Sequence, residues 1–161
     1  MRKYLDKRVE SEKIEKIIEA AICAPSAAGK QARQFILIDE RKLLQQIPQI
    51  NKNAWMASEC QVAILVCGDK KRNEVEGYWS ADCAAACENI LLAVHALGLS
   101  AVWTAAYPRE ERIEGYRKLL SLPEHIVPYC LIPIGYSDGK PEEIKRVGRE
   151  EVVHKNGWQV L

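Results

Sequence analysis

The sequence predicts an α+β or α/β fold in which helices cover a mixed β-sheet. Two observations lead to this class. Apolar residues recur at helical spacing in some segments and form short continuous runs in others, and the two patterns alternate along the chain. In addition, a helix predicted for residues 80–97 is apolar on nearly every face, which is typical of a helix at the centre of a structure.

The first part of the chain predicts a helix, a loop and a buried strand. Ser11 is a good N-cap for a helix whose apolar residues recur at three- and four-residue intervals and which ends before Pro25. Residues 24–31 are small and polar, as expected for a loop. Residues 33–39 have a continuous apolar centre, so we expect a strand that is buried on both faces.

The next elements are predicted from their boundaries as much as from their periodicity. A short helix over residues 41–47 is expected to end at Pro48, because proline cannot continue a helix without losing a hydrogen bond. An irregular segment carrying Trp55 follows, and residues 61–67 form a second buried strand that turns at Gly68.

The predicted central helix differs between its two halves. The first half is rich in alanine and cysteine, whose small side chains let another backbone approach closely, and the second half is rich in leucine, isoleucine and valine. We therefore expect this helix to pack against its own domain on one side and against a second chain on the other. Gly98 supplies the expected C-terminal stop.

The last part of the chain predicts two more strands and one helix. Residues 100–106 read as a short buried strand or extended segment that ends in small residues, where a backbone can approach a flat ligand. An amphipathic helix is expected over residues 110–120. A strand follows over residues 127–134, whose Pro133 indicates a sheet edge or a bulge. The apolar residues within 150–161 predict a tail that a partner subunit covers.

Composition limits the classes of function. The chain has 161 residues, enough for one domain, and its net charge of +1 gives no reason to expect nucleic-acid or membrane binding. The charged N-terminus predicts no signal peptide, and Glu88, Asn89 and His95 interrupt the most apolar run too often for a transmembrane helix. Six cysteines without a CxxC pair favour buried free thiols, no metal site and a cytoplasmic location.

Common catalytic patterns are absent from the sequence. It contains no HExxH, GxGxxG or phosphate-binding P-loop motif, and its three histidines have no nucleophile beside them. Asp82 and Glu88 are six residues apart on one predicted helix, so they cannot share a proton. If the protein is an enzyme, we expect a cofactor to supply the difficult chemistry.

Four segments of the chain, taken in order, resemble the FMN-dependent nitroreductase family over nearly the full length. They are RKYLDKRV with the following IEKIIEAAICAPSAAGKQARQFILI, then DCAAACENILLAVHALGLSAVWTAAYP, then LIPIGYSDGKPEEIKR, and finally EVVHKNGW. The resemblance implies a single α+β domain over residues 1–161 and an obligate homodimer around the central helix. It also implies two FMN sites at the interface, each with residues from both subunits.

The resemblance also implies a reaction. NAD(P)H would pass a hydride to FMN N5 and leave, and an electron-poor acceptor such as a nitroaromatic compound, a quinone or an activated alkene would then take it in a ping-pong cycle. Two alternatives remain open. One is a dimeric flavin carrier or sensor with little turnover, and the other is a dimer that has lost its flavin.

Family positions identify the residues expected at the cofactor. The FMN phosphate is expected at cations, because a guanidinium can hold phosphate oxygens at two points. Small residues of two segments are expected against the ring and ribityl chain, the first segment coming from the other subunit. The phosphate cations are Arg2, Lys145 and Arg146, and the remaining residues are Pro25, Ser26, Ala27, Gly29, Gln31, Trp103, Thr104, Ala105 and Ala106.

Backbone N–H groups of Ala105 or Ala106 are expected to point at flavin N5 and O4, where they would stabilise the reduced ring. Three departures from the family pattern modify this expectation. The Arg-(Arg/His)-Ser triplet that usually lies upstream of Arg2 is not in this sequence, so weaker FMN binding is expected. Lys30 or Arg33, in a loop that usually contains Asn and then Gln-Pro-Trp, is expected to favour an anionic ligand. The short chain lacks a lid insertion, which predicts a broad acceptor range.

Overall fold

The computed structural model describes residues 1–73, 75, 77–137, 139 and 144–158, and its helices lie on both faces of one β-sheet. The helices are α1 (Ser11–Ile22), α2 (Arg41–Ile50), α3 (Tyr78–Ala96), α4 (Glu110–Leu120) and α5 (Arg149–Val152). The strands are β1 (Arg33–Ile38), β2 (Val62–Asp69), β3 (Ser100–Ala101), β4 (Thr104–Ala105) and β5 (Ile126–Gly135). Short 3-10 helices cover Ala27–Gly29 and Lys52–Ser58.

The sheet has the strand order β1-β2-β5-β3, and β4 lies on the same edge of β5 as β3. Every pairing between the described strands is antiparallel, so the sheet is antiparallel where a mixed sheet was expected. The α+β class is confirmed. None of the described helices has both the length and the apolar character that crossing a membrane requires.

Alternating side chains of the central strands divide the core into two clusters. On β2, Ile64 and Val66 face the cluster that α1 and α3 cover, whereas Leu65 faces the cluster beneath α2 and α4. β2 is buried along its whole length, as predicted. Strand β1 is the edge strand of the sheet, and it is not buried on both faces as predicted, since Leu37 is 46% exposed.

Two predicted boundaries are wrong because contacts with distant parts of the chain override local signals. Pro48 lies inside α2, which continues to Ile50. Ile50 packs so closely against Gly115 of α4 that a Cβ at residue 115 would overlap with it. Gly68 remains within β2 instead of starting a turn, because the ring of Trp79 lies directly over it.

Two smaller predictions also need correction. Ser11 is the first residue of α1, and Glu10 occupies the N-cap position without a side-chain cap. β5 as a whole is not an edge strand, since it pairs with β2 on one side and with β3 and β4 on the other. Pro133 itself pairs with Ala63 of β2, and on the other side it falls in the gap between the residues paired with β4 and those paired with β3. A bulge does occur in β5, but it lies at Tyr129, between the partners of Val66 and Cys67.

Helix α3 matches the predicted central helix within two residues at its N-terminal end. It packs against α1 and β2, and Asn89 Nδ2 donates a hydrogen bond to the Ala20 carbonyl oxygen of α1 at 2.8 Å. Gly98 follows its C-terminus with φ of 71°. Leu92, one turn after Asn89, is 59% exposed and lines a surface depression together with residues of α1. The predicted second chain at this face stays a prediction.

The described residues of the C-terminal tail are largely exposed. In the described part of the tail, Val152, Val153 and Trp158 are exposed, and the Trp158 ring stacks on that of His154 with centroids 4.2 Å apart. The remaining tail residues, 159–161, lie outside the described residues. A partner surface for this tail therefore also stays a prediction.

Candidate functional site

The segment that joins β3 to α4 borders a cavity of about 490 Å³. Residues from four parts of the chain line it. They are Arg2, Asn53, Trp55, Trp103, Thr104, Ala105 and Arg112. The structure therefore brings Arg2 together with three of the four residues predicted to face the flavin ring. Ala106 is fully buried behind them.

Hydrogen bonding distinguishes the two backbone donors that the sequence left as alternatives. The Ala106 N–H donates to the Tyr129 carbonyl oxygen at 2.9 Å, so it is already engaged within the sheet. Hydrogen-bonded and non-hydrogen-bonded pairs alternate in an antiparallel ladder. Ala105, which pairs with Cys130, therefore points its N–H and C=O away from β5 and toward the cavity side. Of the two, only Ala105 can offer its N–H to a ligand.

The carbonyl of Ala105 confirms this orientation. Its oxygen accepts hydrogen bonds from Arg112 Nη1 at 2.8 Å and from Asn51 Nδ2 at 3.2 Å. Asn51 is buried, and its Oδ1 also accepts from the Asn53 N–H at 3.1 Å. Two side chains thus hold the Ala105 carbonyl in one orientation. The N–H and C=O of one residue point to the same side of an extended strand, so the Ala105 N–H lies on that side as well.

Two guanidinium groups give the cavity a positive lining. Arg2 Nη1 donates to the Asn53 carbonyl oxygen at 3.3 Å, and Arg112 uses its Nη1 on Ala105. Neither forms an ion pair within the described part of the chain, where the ion pairs are Lys13–Glu10, Arg72–Asp69 and Arg117–Glu114. Their remaining N–H groups are available to an anionic or carbonyl-bearing ligand.

Aromatic rings support Trp103 from behind. Its ring meets that of Tyr129 edge-on with centroids 5.7 Å apart, and Tyr129 stacks on Tyr107 at 6.2 Å. The ring of Trp79, in α3, meets that of Tyr107 edge-on with centroids 4.9 Å apart. Burial raises the pKa of Tyr129 to about 12, so its hydroxyl stays neutral at physiological pH. The cluster fixes the position of Trp103 without adding charge.

The predicted loop 24–31 lies against the first turns of α3. It projects Pro25, Gly29 and Gln31 to solvent and leaves Ser26 and Ala27 half-buried. Among the described residues, no hydrogen bond or ion pair joins this loop to the cavity of Arg2. The two halves of the predicted site are therefore not assembled into one pocket by hydrogen bonds within a single chain.

The two remaining predicted residues, Lys145 and Arg146, are exposed in the segment before α5. They form no hydrogen bond or ion pair with any other described residue, and the structure does not bring them to Arg2. Asp138 and residues 140–143, which precede them, lie outside the described residues. Their predicted role at the phosphate stays a prediction.

Sequence reasoning missed Asn51, Asn53, Trp55 and Arg112 as lining or supporting residues. Trp55 was noted only as part of an irregular segment. Asn51 and Arg112 act on a backbone carbonyl, which leaves no motif in the sequence.

The thiols are buried as predicted, except for Cys23, which is exposed near the end of α1. Burial raises the pKa of Cys60 to about 11 and that of Cys67 to about 12, which keeps both thiols protonated and unreactive. Cys87 and Cys130 lie with their sulfur atoms 3.0 Å apart. Within the described residues no group of three or more histidine, cysteine or acidic side chains could hold a metal ion.

Known proteins share both this sequence and this fold. A sequence model described as "Nitroreductase family" matches residues 1–78 and 51–136. A protein of Methanothermobacter thermautotrophicus named "Putative NADH dehydrogenase/NAD(P)H nitroreductase" is 45% identical over 141 residues, which are 88% of this chain and 74% of that protein. A solved structure of the same name from Parabacteroides distasonis is 43% identical, with a TM-score of 0.91 over 98% of this chain and 92% of the other. An "FMN-dependent Nitroreductase" from Clostridium difficile is 30% identical, with a TM-score of 0.89 over 98% of this chain and 94% of the other. The chain belongs to the nitroreductase family.

Proposed function

We propose that the protein is an NAD(P)H-dependent flavin oxidoreductase that holds FMN along residues 103–105. The observation that carries this proposal is the Ala105 N–H, which faces away from β5 beside a cavity lined by the guanidinium groups of Arg2 and Arg112. The relatives' names support it: one solved relative is an FMN-dependent nitroreductase, and a relative from Bacillus subtilis, 25% identical over 98% of this chain, is an "FMN reductase [NAD(P)H]".

The residues present fit the chemistry of FMN. A reduced flavin ring carries negative charge on its nitrogen and oxygen atoms, which backbone N–H groups and cations stabilise. Ala105 offers the N–H, while Arg2 and Arg112 offer the cations. The fixed Trp103 ring and the exposed Ala105 leave a surface that a flat ring can approach. FMN, when bound, supplies two-electron transfer from NAD(P)H to an electron-poor acceptor such as a nitroaromatic compound or a quinone, in a ping-pong order.

The side chains around the cavity bind and orient but do not transfer protons. The lining contains no carboxylate and no imidazole among the described residues. The hydroxyl of Thr104 is already engaged, because it donates to the Leu131 carbonyl oxygen at 2.7 Å. We therefore propose that the protons of the reaction come from solvent and that no residue acts as a general acid.

A homodimer would complete the site. The loop 24–31 lies apart from the cavity of Arg2 in one chain, which suits a site whose loop comes from the second subunit. Exposed apolar side chains on α1, α3 and β1 supply a surface for this contact; they are Ile22, Leu92 and Leu37. We propose a dimer of single-domain subunits spanning residues 1–161, with Lys145 and Arg146 free to contact the phosphate. The buried reduced thiols suit a cytoplasmic location.

The first test is the visible absorption spectrum of the purified protein before and after addition of FMN, desalting and anaerobic addition of NADH. We expect a retained flavin band that NADH bleaches. A retained band that NADH and NADPH do not bleach would favour a flavin carrier or sensor. Absence of a retained band even after incubation with excess FMN would refute the proposal.

A further inference from the structure

The loop between α1 and β1 has an unusual backbone. Ala28, Gly29 and Gln31 have φ of 49°, 66° and 50°, all in the left-handed region. Glycine adopts that region freely, but alanine and glutamine do so at a cost in free energy. Such conformations persist only where surrounding contacts enforce them, and they are concentrated at functional sites.

The contact that encloses this strained stretch comes from Asp82, in the first turns of α3. Asp82 Oδ1 accepts the Ala27 N–H at 2.8 Å, and Oδ2 accepts the Ala32 N–H at 3.2 Å. The two bonded amides flank residues 28–31, so one carboxylate fixes both ends of the left-handed stretch. Within it, the Gln31 N–H donates to Ser26 Oγ at 3.1 Å.

The chemistry of this carboxylate indicates that its contact with the loop is its main role. Asp82 is only 3% exposed, and among the described residues it has no ion-pair partner. A buried carboxylate is costly unless hydrogen bonds compensate for its lost hydration. Here the compensation comes from the two loop amides, and bonds of this charged kind are roughly twice as strong as neutral ones.

A buried arginine holds the residues just before the loop. Arg33 is 7% exposed, and its Nη2 donates to the carbonyl oxygens of Ile22 at 2.6 Å and Ala24 at 2.8 Å. Its Nη1 is buried without a hydrogen-bond partner in the described residues. The positively charged Arg33 thus fixes the backbone where the loop begins, and the negatively charged Asp82 fixes the loop itself.

We propose that Asp82 is a positioning residue that preorganises the loop 24–31 for FMN. The proposal rests on the proposed function, because the loop's role at the flavin is part of it. A loop that is already ordered loses less conformational entropy when a ligand binds. The two hydrogen bonds from the loop amides to Asp82 would therefore raise the affinity for FMN without any contact between Asp82 and FMN. Asp82 would then affect FMN binding more than it affects global stability.

The test compares Asp82→Asn with the wild type and with Glu88→Gln. Glu88 is exposed on the same helix, and its variant removes the same charge without a loop contact. Asparagine keeps the size of the side chain but has one acceptor oxygen, so one of the two amides loses its partner. We expect the Kd for FMN to rise about 10- to 100-fold in Asp82→Asn. Glu88→Gln should leave it unchanged.

A second readout does not depend on FMN. In the cofactor-free protein, hydrogen exchange of the Ala27 and Ala32 amides should accelerate in Asp82→Asn, whereas amides of β2 should keep their protection. A second substitution, Ala28→Gly, removes the cost of the left-handed conformation at residue 28. In the Asp82→Asn background it should recover part of the lost FMN affinity, which a purely structural role of Asp82 in packing would not predict.

The outcomes separate the two proposals. If the wild type binds no FMN, the proposed function fails and this inference fails with it. If the wild type binds FMN and Asp82→Asn binds it equally well, only the inference is overturned. Unchanged exchange of the two loop amides, or no recovery on adding Ala28→Gly, also overturns it.

Discussion

Replacing Arg112 by alanine tests whether a side chain can tune the flavin through the backbone of Ala105. In the wild type the Ala105 carbonyl accepts one charged hydrogen bond from Arg112 at 2.8 Å and one neutral bond from Asn51 at 3.2 Å. The substitution removes the shorter, charged bond and one of two cations from the cavity. The Asn51 bond remains, so the carbonyl is not left without a partner.

The size of the effect follows from these contacts. A hydrogen bond from a charged group contributes about 1.5 to 3 kcal/mol, and the lower end applies because a second donor remains and Arg112 is half-buried. Because this bond lies within the protein, its energy is an upper limit for the effect on the flavin. If the loss falls on the reduced, anionic flavin alone, about 1.4 kcal/mol lowers the midpoint potential of the two-electron couple by about 30 mV. If it falls on both redox forms equally, the potential stays constant and the Kd for FMN rises about tenfold.

The assay is anaerobic reduction of the FMN-loaded protein with a reference dye of known potential, together with an FMN titration. Arg109→Ala is the matched control, because Arg109 is exposed one turn earlier and forms no side-chain hydrogen bond or ion pair with any described residue. Arg112→Lys keeps the charge but not the forked geometry, so an intermediate potential would assign part of the effect to charge. Wild-type potential and wild-type Kd in Arg112→Ala would refute the reasoning.

Three further predictions concern the interface, the core and the thiols. Leu92→Glu places a charge on the exposed face of α3 and should convert a dimer into monomers that lose FMN, with the molar mass measured by light scattering and the flavin by absorbance. A dimer that survives the substitution would exclude this face as the interface. Gly68→Ala forces a methyl group into the ring of Trp79 and should destabilise the fold by about 2 kcal/mol, lowering Tm by about 4 to 8 °C; an unchanged Tm would contradict this. A thiol reagent should modify six thiols after denaturation and at most Cys23 in the native protein, where a dimer contact at the neighbouring Leu92 should slow this reaction; a fast reaction of any other native thiol would show that the core opens.

The spacing of apolar residues in the sequence was sufficient to predict most helices and strands of the fold. The helix predicted over residues 110–120 has the observed bounds of α4, because Ile113 and Tyr116 face the core while charged residues face solvent. Pro48 and Gly68 misled the boundary predictions. Their conformations depend on Gly115 and Trp79, which are distant in the sequence, and no local pattern carries that information.

The candidate site was predictable only in part, for a related reason. The family resemblance identified Arg2 and residues 103–105, and the structure brings these together at one cavity. It could not identify Asn51 or Arg112, because both act by donating to a backbone carbonyl and a carbonyl is common to every residue type. The role of Asp82 was not predicted for the same reason, since its partners are the backbone amides of Ala27 and Ala32.

The choice between Ala105 and Ala106 shows how sheet register determines the chemistry of this site. The Tyr129 carbonyl oxygen accepts from the N–H groups of both Ala106 and Tyr107, at 2.9 and 3.0 Å, and so removes two successive donors from the surface. Tyr129 is also the bulged residue of β5, where the register against β2 shifts by one. If β4 were shifted by one residue against β5, the backbone groups that now bond to β5 and those that now point away from it would change places. Ala106 would then offer its N–H in place of Ala105, and Arg112 and Asn51 would lose their shared acceptor. The register of β4 against β5 therefore determines which N–H can contact a cofactor and which side chains can influence it.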